Sequence, residues 1–277
     1  RGAIKLYEDA IKISGNGAQT AGLLYQISKA YEQAGKQKKA VLALTNLLSI
    51  SPDAVNRDEL YFRRGELMFD LRQFKNAGLS YSQVMKTSPG SVYYDKALTK
   101  RGWSLFRQAK YKQALGSFLG LINRKFKNAS KDPVSGKAKL SRGDAELVGD
   151  VFRAVTLSFN ETGGAGTIKE HFEKSGHQDY EIRIYQQLAE FYVDKGRVKD
   201  ASDTYTAFAR VYPFHEKAYV FDLKAIEAYA SAGFASTLIE LKESFIKRYR
   251  VNGKYWEYYQ EHEDTILVGL KSALSKN

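Results

Sequence analysis

The chain has 277 residues, with 43 Lys+Arg against 31 Asp+Glu for a net charge of +12, and it is 43% hydrophobic and 13% aromatic. That apolar content excludes wholesale disorder, and the absence of cysteine excludes a disulfide scaffold, a thiolate metal site and a cysteine nucleophile. Four prolines are few enough to favour helices, and no run approaches the roughly 18 apolar residues of a membrane span.

Amphipathic sequence begins at once. Residues 3–13 supply a helix without its partner, so the chain is expected to be a piece of a longer array. Helix pairs are predicted at about 21–52, 58–89 and 95–126. In the second of these, Leu60, Leu67, Met68 and Leu71 share one helical face, and residues 74–85 show the same period. Residues 124–143, with Pro133, Gly136 and Gly143, break the pattern and read as an inserted loop. A degenerate pair is expected over 144–176, turning at Gly163, Gly164, Ala165 and Gly166, with further pairs over 182–213 and 219–250. One capping helix is predicted over 254–275, where Trp256, Tyr259, Ile266, Leu267, Leu270 and Leu274 fall at near-helical steps.

The period is 37 residues. Ala3, Ala40, Ala77 and Ala114 stand 37 apart, and four residues after each comes Tyr7, Leu44, Tyr81 or Phe118. The pairs Arg64-Gly65 and Arg101-Gly102 recur at the same interval, as do Pro52 and Pro89, Tyr192 and Tyr229, and Gly196 and Gly233. Small residues of the first helix (Gly65, Gly102, Ala189) are expected to face small residues of the second (Ala77, Ala114, Ala201), letting the axes approach. Pro52, Pro89 and Pro213 each end a second helix, because proline cannot continue the hydrogen-bond ladder.

At these residues the chain resembles a tetratricopeptide repeat (TPR) protein. Tyr185, Leu188, Ala189, Tyr192, Ala201, Tyr205 and Pro213 carry the fullest copy of that family's pattern, followed by Tyr61, Gly65, Met68, Ala77, Tyr81 and Pro89. The long link from Pro89 to Ala97, and the stretch 157–213, look like bacterial envelope members of the family. These are the Tol-Pal coordinator, the barrel-assembly lipoprotein and TPR proteins encoded beside TonB systems. The resemblance implies one all-α, right-handed superhelical solenoid over residues 1–277. It also implies a non-enzymatic scaffold that binds a protein or peptide in its concave groove, in the periplasm or envelope.

Projecting the repeat onto first helices places Phe62, Glu66, Phe69, Lys96, Trp103, Phe106 and Arg107 on the groove side, with Arg153, Arg183, Gln186 and Glu190 further along. Trp103 stands where the preceding repeat has Glu66, so it is expected to face a partner and, with Phe106, to anchor it. No lysine and asparagine clamp for a C-terminal carboxylate is present, which argues against a cochaperone. The alternative is polyanion binding, to nucleic acid or acidic lipid, through Arg124, Lys125, Lys127, Lys131, Lys137, Lys139 and Arg142, which against Asp132 give +6, half of the net charge. Nucleic acid ranks behind a protein partner.

Chemistry candidates are weak beside this. His171 and His177 flank Glu173, but six-residue spacing does not put two ligands on one helix face, so no metal or cofactor is expected. The glycine run at 163–166 lacks the lysine of a phosphate loop and reads as a turn. Glu261, Glu263 and Asp264 read as solvated charges, and Tyr255, Trp256, Tyr258 and Tyr259 as packing of the end helix.

Overall fold

The structure, a computed structural model, describes residues 2–14, 17–131, 138–262 and 264–276. It falls into two compact units, Arg1–Val151 and Phe152–Asn277. The described residues form fifteen α-helices and one short β-hairpin.

In the first unit α1 (Gly2–Ser14) packs on α2 (Ala18–Gln33), which pairs with α3 (Gln37–Ile50). Two further hairpins follow: α4 (Arg57–Asp70) with α5 (Phe74–Thr87), and α6 (Tyr94–Phe106) with α7 (Tyr111–Asn128). Strands β1 (Ser130–Lys131) and β2 (Ala138–Lys139) pair antiparallel, and α8 (Arg142–Asn160) begins in this unit and continues into the next. The second unit holds α9 (Ala165–Ser175), the hairpins α10 (Glu181–Asp194) with α11 (Val198–Val211) and α12 (Ala218–Ala232) with α13 (Ala235–Tyr249), then α14 (Lys254–His262) and α15 (Asp264–Lys276).

One backbone turn closes the hairpins. Gly35, Arg72 and Ala109 stand 37 residues apart with φ of 69°, 58° and 57°, and Gly196 and Gly233 repeat the turn with φ of 68° and 76°. In each, the residue after the left-handed one donates its N–H to a carbonyl five positions back, as Lys36 does to Tyr31 (2.8 Å), Gln73 to Met68 (2.8 Å) and Arg197 to Tyr192 (2.8 Å). This is a Schellman closure, which satisfies the free carbonyls of the ending helix. At the other end, α3, α5 and α11 stop two residues before Pro52, Pro89 and Pro213. The intervening Ser51, Ser88 and Tyr212 have left the helical region, with ψ of 68°, 71° and 65°, since proline disfavours a helical predecessor.

In two hairpins the glycine's nearest neighbour differs from the small residue expected. Ala77 and Ala114 are fully buried, but Gly65 and Gly102 face the rings of Tyr81 and Phe118, where a β-carbon would lie 2.6 and 2.4 Å from the ring. The aromatic four residues after the alanine fills the space a side chain at the glycine would take. Beside these contacts Arg64 donates to Ser80 (3.1 Å) and Arg101 to Ser117 (2.6 Å), the same bond one period apart.

Two expectations about boundaries change. The segment 124–143 is not a loop from its start: α7 continues to Asn128, so Arg124, Lys125 and Lys127 are helical, and Arg142 opens α8. The single end helix predicted over 254–275 is two helices, α14 and α15. Tyr255, Trp256 and Tyr259 are buried with Leu267 and Leu270 in that corner, while Tyr258 is exposed and stacks on Phe214 at 5.1 Å.

Candidate functional site

In the first unit the predicted residues fall on α4 and α6, the first helices of two hairpins, with Arg107 just past the end of α6. Phe62 is half-buried and stacks on Tyr93 at 5.1 Å. Phe69 meets Phe74 edge-on at 5.1 Å and carries the Lys100 ammonium over its face at 5.5 Å. Trp103 is half-buried between Phe106 (5.6 Å) and Phe118 (5.5 Å), and Phe106 meets Tyr111 at 5.0 Å. Lys96 and Arg107 are exposed, with the Arg107 guanidinium 5.2 Å over the Phe74 ring.

Why a tryptophan can replace a glutamate is now visible. Glu66 accepts a hydrogen bond from the hydroxyl of Tyr81, and burial together with that carboxylate holds the hydroxyl protonated far above the usual range. One period on, Phe118 has no hydroxyl, and the Trp103 ring covers it instead. Both side chains thus cap the core ring of their own hairpin while keeping an exposed edge.

Polar contacts tie successive first helices together at a fixed step. Tyr25 donates to Glu59 at 2.8 Å, Lys100 to Glu66 at 2.9 Å and Lys224 to Glu190 at 3.4 Å, each pair 34 residues apart. With a 37-residue repeat, 34 is one period less about one helical turn, so each residue reaches back to the neighbouring first helix.

In the second unit Arg153 is exposed, and Arg183 lies over the Phe152 ring at 4.2 Å. Gln186 donates to Glu190 at 2.8 Å. Sequence reasoning missed what lies beside Glu190: a cleft of about 400 Å³ between α10 and α12, with Glu190, Lys224 and Glu227 at its charged wall and Val193, Val198 and Tyr205 at its apolar one. Val193 is 47% exposed, and burial pushes the Tyr205 hydroxyl up to about 12. The Glu190–Lys224 spacing, equal to that of Glu66–Lys100, was the available signal.

The basic segment is less free than its composition suggested. Arg124 pairs with Asp95 at 2.9 Å, Lys125 bridges Asp95 and Asp144 at 2.6 Å each, and Arg142 meets Glu146 at 3.2 Å. Burial alone would lower the Lys125 ammonium, but its hydrogen bonds to Asp144 and Asp95 outweigh that and hold it above the usual lysine range. Lys127 and Lys139 are exposed, while Lys137 and the side chain of Lys131 lie outside the described residues.

Among the described residues no three His, Asp or Glu side chains gather as metal ligands, and no helix is long and apolar enough to cross a membrane. His171 packs edge-on against Phe159 and Phe172, while His177 turns to Glu181 at 3.3 Å. Gly163 and Gly164 turn the chain from α8 into α9 with φ of 112° and 67°. Glu263 lies outside the described residues, as do the side chains of Glu261, His262 and Asp264.

A tetratricopeptide-repeat family model matches residues 21–54, which take in most of α2, all of α3 and the turn after it. No curated protein sequence matches the chain. Solved structures with a similar course include MamA, with 15% identity over 71% of this chain and 90% of that one and a TM-score of 0.43. YrrB, described as a TPR protein with an unusual peptide-binding site, shares 11% identity over 93% of this chain and 99% of that one, with a TM-score of 0.38. A tetratricopeptide repeat protein from Parabacteroides merdae shares 13% over 92% and 93%, with a TM-score of 0.41. The matched hairpin is a tetratricopeptide repeat, and the buried alanines one period apart and the proline-ended second helices repeat its pattern along the chain.

Proposed function

We propose that this non-enzymatic scaffold binds an extended protein or peptide segment on its first-helix faces, as part of a bacterial envelope complex. The observation that carries the reading is the Trp103–Phe106 pair, edge-on at 5.6 Å and half-buried, with exposed Lys96 on α6 and Arg107 just past its end. Rigid aromatics bordered by an arginine are the side chains that most often supply the binding energy of an interface, about 2 kcal/mol or more each. The cleft beside Val193 and Lys224 gives the second unit a pocket of its own for an apolar side chain with a charged neighbour. The envelope setting is supported by the long link after Pro89 and by the resemblance over 157–213.

The test exchanges one cap for the other. The double variant Trp103→Glu, Phe118→Tyr rebuilds the Glu66–Tyr81 pair one period on, so the fold should hold while the aromatic anchor is lost. A photo-crosslinker at Lys96 or Arg107 in source cells should trap a partner in the envelope fraction, and the double variant should abolish the product. Equal trapping from Leu79, on a second helix, or by the double variant would overturn the assignment of this face. A partner trapped only in the cytosol would overturn the envelope setting alone.

A further inference from the structure

A second cleft, of about 520 Å³, lies entirely in the second unit between the ends of α11 and α13 and the start of α14. Five of its ten lining residues are cations (Arg210, Lys247, Arg248, Arg250 and Lys254), and none is a carboxylate. Among the described residues only Arg248 of the five has an ion-pair partner, the buried Asp222, which also accepts a hydrogen bond from Tyr249 at 2.8 Å. That buried carboxylate fixes one guanidinium in the wall and also attracts Arg210, while the other cations line the same cleft exposed.

Part of this charge has a local explanation. Arg210, Lys247 and Arg248 occupy the last turns of their helices, where the helix field favours cations. Arg250, the cap residue just past α13, shares that field, whereas Lys254 has no such explanation. Lys254 is the first residue of α14, where the helix's own field is already positive and a lysine is least favoured. Arg250 is held by the turn itself: Asn252 takes a left-handed φ of 59°, and the Cγ and Nε of Arg250 lie 3.1 and 3.8 Å from where a β-carbon on Gly253 would be. The turn therefore folds a guanidinium back over a bare glycine, into a cleft whose other charges already repel it. Phe214, 42% exposed, gives the cleft an apolar border.

We propose that this cleft is a binding site for a phosphate-bearing anion of two or more charges, separate from the first-helix faces. Multiply charged phosphate answers several converging ammonium and guanidinium groups at once, with charge-assisted hydrogen bonds that each contribute more than a neutral one. The phosphate belongs either to a free small molecule or to a lipid headgroup.

Calorimetry with pyrophosphate at physiological ionic strength tests the site. One saturable site per chain is expected, and Lys247→Gln with Arg250→Gln should weaken it at least about tenfold, the loss of one or two charge-assisted bonds. Lys127→Gln with Lys139→Gln removes the same charge elsewhere and should change affinity less than about twofold. Lys254→Gln, on the other wall, should weaken binding in the same direction, and it stands in if the first variant does not keep the native circular dichroism. No saturable binding, or an equal loss in the control, would overturn the proposal. Vesicles containing phosphatidic acid distinguish the sources: displacement of pyrophosphate assigns a headgroup and no displacement a free molecule. Vesicle binding by a chain that ignores pyrophosphate would instead overturn the cleft as the site.

Discussion

Gly65 stands so close to Tyr81 that a β-carbon on the glycine would lie 2.6 Å from the ring's Cε1. The ring is fully buried and cannot swing aside. Gly65→Ala should therefore cost about 1–3 kcal/mol, read as a shift in urea midpoint at unchanged slope. In the preceding hairpin the same two positions are the buried Ser28 and Leu44, a larger residue facing a smaller one. Gly65→Ser combined with Tyr81→Leu should recover most of the loss, and an alanine variant as stable as the parent would refute the close contact.

Ala109 holds the left-handed turn position that Gly35, Gly196 and Gly233 hold elsewhere. A β-carbon in that conformation costs about 1–2 kcal/mol, partly offset by the entropy a glycine loses on folding. Ala109 is exposed, so Ala109→Gly should raise stability by about 0.5 kcal/mol. Gly35→Ala should lower it, and thermal melts of the two variants should move in opposite directions.

Lys125 joins α7 to Asp95 on α6 and Asp144 on α8 with only 17% of its side chain exposed. Lys125→Gln should cost about 1–2 kcal/mol, since Asp144 loses its cation and Asp95 one of its two. Lys127→Gln and Lys139→Gln, on exposed residues, should stay within about 0.5 kcal/mol. Equal effects by chemical denaturation would mean that the basic segment is uniformly solvated.

Burial lowers the pKa of both His171 and His215, and the Nδ1 of His215 accepts the Lys217 N–H at 3.1 Å. The unfolded chain then takes up these protons first as pH falls. The stability tied to the neutral rings is complete above about pH 7 and is lost as pH drops from about 6.5 through the lower folded values. Melting temperature should fall between about pH 7.5 and 5. In His215→Asn, which keeps an acceptor for Lys217, it should fall less, and parallel curves would remove His215 as a contributor.

The hairpins were legible in the sequence because alanine, aromatic and proline recur at one interval and each marks a contact made within a single hairpin. The glycine's true partner was not, since two small residues and a small residue against a ring satisfy the same spacing. Arg72 and Ala109 hid their turns by not being glycine. The end of α7 was misread because a run of cations looks like a solvated loop until Asp95 and Asp144 are seen to meet it. On the candidate faces, the exchange of Glu66 for Trp103 stood out in the sequence, but its reason required the ring beneath each. The charged cleft at Arg250 and Lys254 draws on three helix ends, and no periodicity announces such a meeting.

Because Glu66 and Trp103 rest on equivalent rings, the outer layer of a hairpin can be rewritten by two coordinated codon changes while its interior stays put. Descendants of one ancestral module could thus acquire acidic or indole-bearing exteriors independently, and a chain assembled from them would display a different chemical letter at every step along its length.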